Sequence, residues 1–218
     1  EQPIAVHADL ALSSVGASDP RLETLLADGV RLTVAGSVSQ AGTLVAERID
    51  LRAQGLALNG SARAERWGAA ARTADATLAI ADLAAVGAPF GFDGKGAADI
   101  ALKLDAQGLD LTGNTRDLAL GQPIVDRLLG PSPTLRVKLA GSVPDAMTIE
   151  TAQVAGAKAR LDAHGTVADR KLDLGFAASV DDAAALDPAL RGRVTLDGSL
   201  NGTMDAPAVT AELSAPAL

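Results

Sequence analysis

Apolar and polar residues alternate one for one along most of the chain, and an extended strand is the structure that sends successive side chains to opposite faces. From Ile100, the residues Ile100, Leu102, Leu104 and Ala106 share one parity, while Asp99, Lys103 and Asp105 take the other. Leu109 and Leu111 stand against Asp110, Thr112, Asn114 and Arg116. In the segment from Ala157 to Val167 the odd positions are Ala157, Ala159, Leu161, Ala163, Gly165 and Val167, separated by Lys158, Arg160, Asp162, His164 and Thr166. The same reading fits 30–38, 56–65, 73–81, 135–143, 171–180, 192–204 and 209–213. Each such strand has a dry face and a wet face, as in antiparallel sheet solvated on one side. The expectation is an all-β fold with strands of about seven to ten residues.

A second regularity lies on the first: an apolar residue, any residue, Gly, then a small polar residue. It occurs at Val34–Ser37, Leu58–Ser61, Leu111–Asn114, Leu139–Ser142, Ala163–Thr166, Leu196–Ser199 and Leu200–Thr203. The glycine falls on the apolar parity each time. Glycine inside a strand marks a bend, a bulge or a close approach of other chain, so a row of them lets a sheet curve around its dry face. The spacing is irregular, which argues against a solenoid of constant coil length.

The chain of 218 residues is 48% hydrophobic and 21% charged, enough apolar content to fold, yet only 2% is aromatic. A formal charge of −8 opposes nucleic-acid binding. Without cysteine, disulfides, thiolate metal sites and cysteine nucleophiles are excluded, and the redox compartment stays open. The apolar runs are far shorter than the roughly 20 residues that span a bilayer as helix. Patterned sequence at both ends reads as one continuous piece, 1–218, of something longer, without an internal domain boundary.

Helical punctuation interrupts the strands in a few places. Asp19, Pro20 and Gly29 frame a short helix with Leu22, Leu25 and Leu26 on one side. Pro123 and Gly130-Pro131 frame a second over 122–130, and 181–190 is a weaker third broken at Pro188. Helices this short are marginal alone and must dock on the sheet.

Catalytic constellations are missing. His7 and His164 are far apart in sequence and form no metal-ligand cluster. Gly-x-Ser-x-Gly does not occur. Asp181-Asp182 reads as the acidic start of a helix rather than as an acid–base pair. Gly91–Gly96 fails as a phosphate loop, since Pro89 and Gly96 occupy positions that need Gly and Ser or Thr. Trp67, flanked by Arg66 and Gly68, suits a loop anchor better than a ligand platform. No enzyme, cofactor or metal is expected.

The runs Ala185–Val209 and Leu51–Ser61, in which a short helix-like segment leads into strands ending in Gly-Ser or Gly-Thr and then an Asp-x-Pro turn, resemble the AsmA-like family, and within it the TamB-type translocation and assembly module subunits. The resemblance is one of texture over nearly the whole chain and brings no catalytic motif. It implies an elongated, curved antiparallel β-sheet trough, a β-taco, with an apolar concave face. It further implies residence in the periplasm as part of an inner-membrane-anchored protein whose N-terminal anchor lies outside this piece. Conduction of phospholipid between inner and outer membranes, contact with phospholipid acyl chains and a TamA-type outer-membrane barrel partner in protein assembly complete the implied function.

The residues meet this picture independently, because a sheet with one dry face must hide it against another sheet, helices or a ligand. The expected lining is Ile100, Leu102, Leu104, Leu109, Leu111, Leu135, Val137, Leu139, Leu161, Leu172, Leu174, Phe176, Val194 and Leu196. A structural or adhesive β-solenoid with a closed side-chain core shares the alternation and stays open as the alternative.

Overall fold

A computed structural model describes residues 3–13, 29–66, 71–88, 91, 94–142 and 146–215. The expected helix framed by Asp19, the Trp67 turn and part of the Gly91–Gly96 loop lie outside the described residues. Thirteen antiparallel strands follow one another in sheet order β1 to β13, and the sheet does not close. The contacts divide the chain into two compact units, Glu1–Ala106 and Gln107–Leu218.

The first unit holds β1 (Ile4–Leu12), β2 (Val30–Val38), β3 (Leu44–Ala53), β4 (Leu56–Ala64), β5 (Ala71–Ile80), helix α1 (Leu83–Gly87) and β6 (Lys95–Asp105). The second holds β7 (Gly108–Ala119), helix α2 (Pro123–Leu129), β8 (Thr134–Ser142), β9 (Ala146–Ala155), β10 (Ala159–Ala168), β11 (Lys171–Val180), a 3₁₀ turn (Ala183–Ala185), β12 (Val194–Thr203) and β13 (Ala206–Ser214). Strands run 9 to 12 residues, and β6 and β7, at 11 and 12, exceed the expected length.

Strands β1, β3 and β9 extend the pattern beyond the segments named from sequence. In β3 the register slips between Ala46 and Ile49, and in β9 it slips at Glu150 opposite Lys138 and Leu139. Each slip is a β-bulge, two residues facing one, at Glu47-Arg48 and at Glu150-Thr151. A bulge shifts the apolar parity in mid-strand, which hides the strand from a strict test of alternation.

Of the expected helices, the second forms as α2, with Pro123 in its first turn and Gly130 ending it at φ 69°. The 181–190 segment contracts to the three-residue 3₁₀ turn, because Asp182 caps the Ala184 N–H at 3.0 Å and Pro188 follows too soon for a further turn. Helix α1 was not foreseen. Its five residues start from an Asp82 side chain that accepts from the Ala84 N–H at 2.9 Å. Among the described residues the buried apolar side chains are Ala98, Val167, Ala183 and Ala185, and no large side chain is fully buried.

Candidate functional site

Residues directly opposite each other in an antiparallel pair point to the same side, so the register assembles the faces row by row. In the first unit Leu10, Leu32, Leu51, Leu58, Leu78 and Ile100 form one row across β1 to β6. The next row is Ala8, Val34, Ile49, Gly60, Ala76 and Leu102, and the one after it Val6, Gly36, Ala46, Ala62, Ala74 and Leu104. The expected lining residues Ile100, Leu102 and Leu104 therefore close three adjacent rows of a single apolar face.

The second unit repeats the arrangement. Leu135, Val154, Leu161, Ala178, Leu196 and Leu213 make one row from β8 to β13. Leu111, Val137, Ala152, Ala163, Phe176, Gly198 and Ala211 make the next, from β7. Leu109, Leu139, Ile149, Gly165, Leu174, Leu200 and Val209 make the third, with Leu172 one row further and Val194 at the opposite margin. The register thus places all eleven expected lining residues of this unit on one face. No side chain in any of these rows can donate or accept a conventional hydrogen bond. Sequence reasoning missed the contributions of β1, β3 and β9, among them Leu10, Leu51 and Ile149.

These faces are half open to solvent. On the interior strands the row residues are mostly half-buried, with Leu161 at 44% exposure, and on the edge strands β1 and β13, where both faces are open, Leu10, Val209 and Leu213 reach 50%, 65% and 67%. The glycines of the recurring tetrapeptide lie on the same faces, as expected. At Gly36 an added Cβ would overlap the Val45 carbonyl oxygen, and at Gly165, where φ is +140°, it would overlap that of Asp173. Neighbouring backbone comes too close at both places for any side chain.

Helical segments cover one end of each unit. In the first, the Ala81 N–H donates to Gly55 O at 2.8 Å, bringing the start of α1 onto the β3–β4 turn. In the second, the N–H groups of Ala157 and Lys158 donate to Leu129 O and Leu128 O at 2.8 and 2.9 Å, pinning α2 to the β9–β10 turn. Gly156 makes that approach possible, since a Cβ there would lie 2.6 Å from Leu129 Cα.

The opposite faces carry the charge. Asp50, 9% exposed, receives Arg52 at 3.1 Å and Arg48 at 3.7 Å. Lys138 reaches Glu150 at the second bulge over 2.7 Å, which holds its ammonium protonated above the ordinary lysine range. Arg160 and Gln153 both donate to Asp162 and hold its carboxyl below the usual range, Arg160 most strongly. His7 Nε2 lies 3.0 Å from Asp9, whose carboxyl is lowered first by the Thr33 hydroxyl and then by His7. His164 rests against Gly175. Asp181 pairs with Arg193 at 2.6 Å while Asp182 serves as the cap, so both acids have structural partners. A depression of about 520 Å³ lies beside the first bulge, bordered on the polar side by Glu47, Ser61, Arg63, Thr73, Asp75 and Lys103. Among the described residues no cluster of three metal-ligating side chains occurs, and no helix is long and apolar enough to cross a membrane.

No protein-family profile, curated protein or solved structure matches this chain.

Proposed function

We propose that the apolar faces of the two units hold lipid acyl chains, and that the chain is a segment of a periplasmic, phospholipid-conducting β-sheet of the AsmA-like, TamB type. The observation that carries the reading is the pair of uninterrupted hydrocarbon surfaces, six or seven strands wide, on which no large side chain is fully buried among the described residues. An acyl chain offers no hydrogen-bonding group, and these rows ask for none. Burying methylene groups against them is favourable at about 0.8 kcal/mol each.

In this reading the sheet curves with its apolar side inward, and the close backbone approaches at Gly36 and Gly165 favour such bending. The bridge between inner and outer membranes, the N-terminal anchor and a TamA-type barrel partner rest on the sequence resemblance. A β-solenoid with a closed core is less well supported, because closure would bury large side chains completely, and none is so buried among the described residues.

The test is photo-crosslinking of the full chain with vesicles of phosphatidylethanolamine and phosphatidylglycerol. A photoreactive residue at Leu102 or Val137 is expected to capture phospholipid, and one at Lys103 or Lys138 is not. Equal capture from both faces overturns the proposal.

A further inference from the structure

We propose that Phe176 limits how far an acyl chain can lie across the apolar face of the second unit, an inference that rests on the acyl-binding reading above. Phe176 is the one phenyl or indole ring among the described residues. It stands in the row Leu111, Val137, Ala152, Ala163, Phe176, Gly198, Ala211, where only valine and alanines separate Leu111 on β7 from the ring and only glycine and alanine lie beyond it. The flanking rows carry Leu161 and Leu196 on one side and Leu139, Leu174 and Leu200 on the other. A chain lying between these flanks from β8 passes over Ala152 and Ala163 and then meets the ring.

The ring leans toward β12. Its Cε2 lies 2.8 Å from the point where a Cβ on Gly198 would stand, so the phenyl occupies the space that the glycine leaves. Phe176 is only half buried, so its outer surface remains available to a ligand. At about 4.8 Å between strands, the path from β8 to the ring is about 14 Å, whereas the path to β13 would be about 24 Å. A shorter acyl chain fits the first length, and a longer one must leave its distal methylenes in water.

A ring over a strand glycine also shields backbone, a purely structural role. The two roles separate by chain length. Laurate and stearate are titrated against the full chain by native mass spectrometry, with circular dichroism as the check on folding. Wild type is expected to bind stearate no more tightly than laurate. Phe176→Ala is expected to raise the affinity for stearate relative to laurate about tenfold, as two further methylenes of the longer chain become buried. Phe176→Leu keeps a bulky stop without the ring and is expected to retain the wild-type pattern. Should Phe176→Ala fail to fold, Ala163→Phe sets the stop one strand nearer and is expected to weaken laurate about tenfold. Unchanged chain-length preference in folded Phe176→Ala, or in Ala163→Phe, overturns the role of Phe176 while leaving acyl binding intact. Failure of wild type to bind either fatty acid removes both proposals.

Discussion

The runs β2–β5 and β8–β11 are built to one plan and stabilised in different ways. Each is a four-stranded meander with a bulge in its second strand, at Glu47-Arg48 and at Glu150-Thr151. Each ends in an aspartate that caps a short helical turn two residues on, Asp82 to Ala84 and Asp182 to Ala184. The residue before that aspartate donates back to the turn between the second and third strands, Ala81 to Gly55 and Asp181 to Lys158. The polar side-chain ties differ. Around the first bulge, Arg48, Asp50 and Arg52 all belong to β3, whereas around the second, Lys138–Glu150 and Gln153–Asp162 tie neighbouring strands together. The 3₁₀ turn buries Ala183 and Ala185, while α1 buries none of its residues. Backbone ladder and glycine spacing set the shared plan, and side-chain ties are free to vary on it.

The largest effect should come from the tetrapeptide glycines, of which each run supplies a tightly approached one. Gly36→Ala and Gly165→Ala each force a methyl group into a neighbouring carbonyl, and are expected to cost on the order of 3 kcal/mol or more in thermal or denaturant unfolding. Gly165→Ala should be the worse, since its φ of +140° adds backbone strain. Equal, mild effects at both would show that the strands can move apart.

Leu102→Arg should separate the units by function. Leu102 is only half buried, so arginine can lay its stem along the face and keep its head in water, with stability changed by about 1 kcal/mol or less. Lipid capture by a photoreactive residue at Leu104 should fall while capture at Val137 persists. Loss of folding would instead mark that face as a packed core.

The caps give a smaller, matched pair. Asp82→Ala and Asp182→Ala should each cost about 1 kcal/mol, read as a shift in melting temperature, with Asp182→Ala the larger because two buried alanines depend on that turn. The smallest effect is electrostatic. The Asp162 carboxyl titrates below its unfolded value, so its stabilising contribution is complete above about pH 4 and is lost as the pH falls through the folded-state pKa. Asp162→Asn should flatten that part of the acid-unfolding curve only slightly, since the side chain is 40% exposed.

Much of this was legible in the sequence, for a definite reason. Wherever pairing is regular, the parity of the chain is the parity of the sheet, and 30–38 and 171–180 coincide with β2 and β11. The lining residues named from parity fall on the apolar face of their unit for the same reason. Parity failed at β3, where Leu44 and Ala46 hand over to Ile49 and Leu51, and at β9, where Met147 and Ile149 hand over to Ala152 and Val154. In β1 the alternation is perfect but blurred by Ala5 and Ala11 on the wet side. Helix α1 escaped because five residues starting at Leu83 carry too little periodicity to register. Nor could sequence place the Phe176 ring over Gly198, a contact that depends on the pairing of β11 with β12.

The bulges also bear on how such a chain can change in length. Inserting or deleting one residue within a regular strand turns every later side chain inside out, exchanging leucines for lysines on the apolar face. At Glu47 or Glu150 the ladder already accommodates one residue too many, so removing it, or shifting it by a step, leaves the flanking rows in place. These two positions are the expansion joints of the sheet, where a single-codon insertion or deletion has its best chance of being neutral.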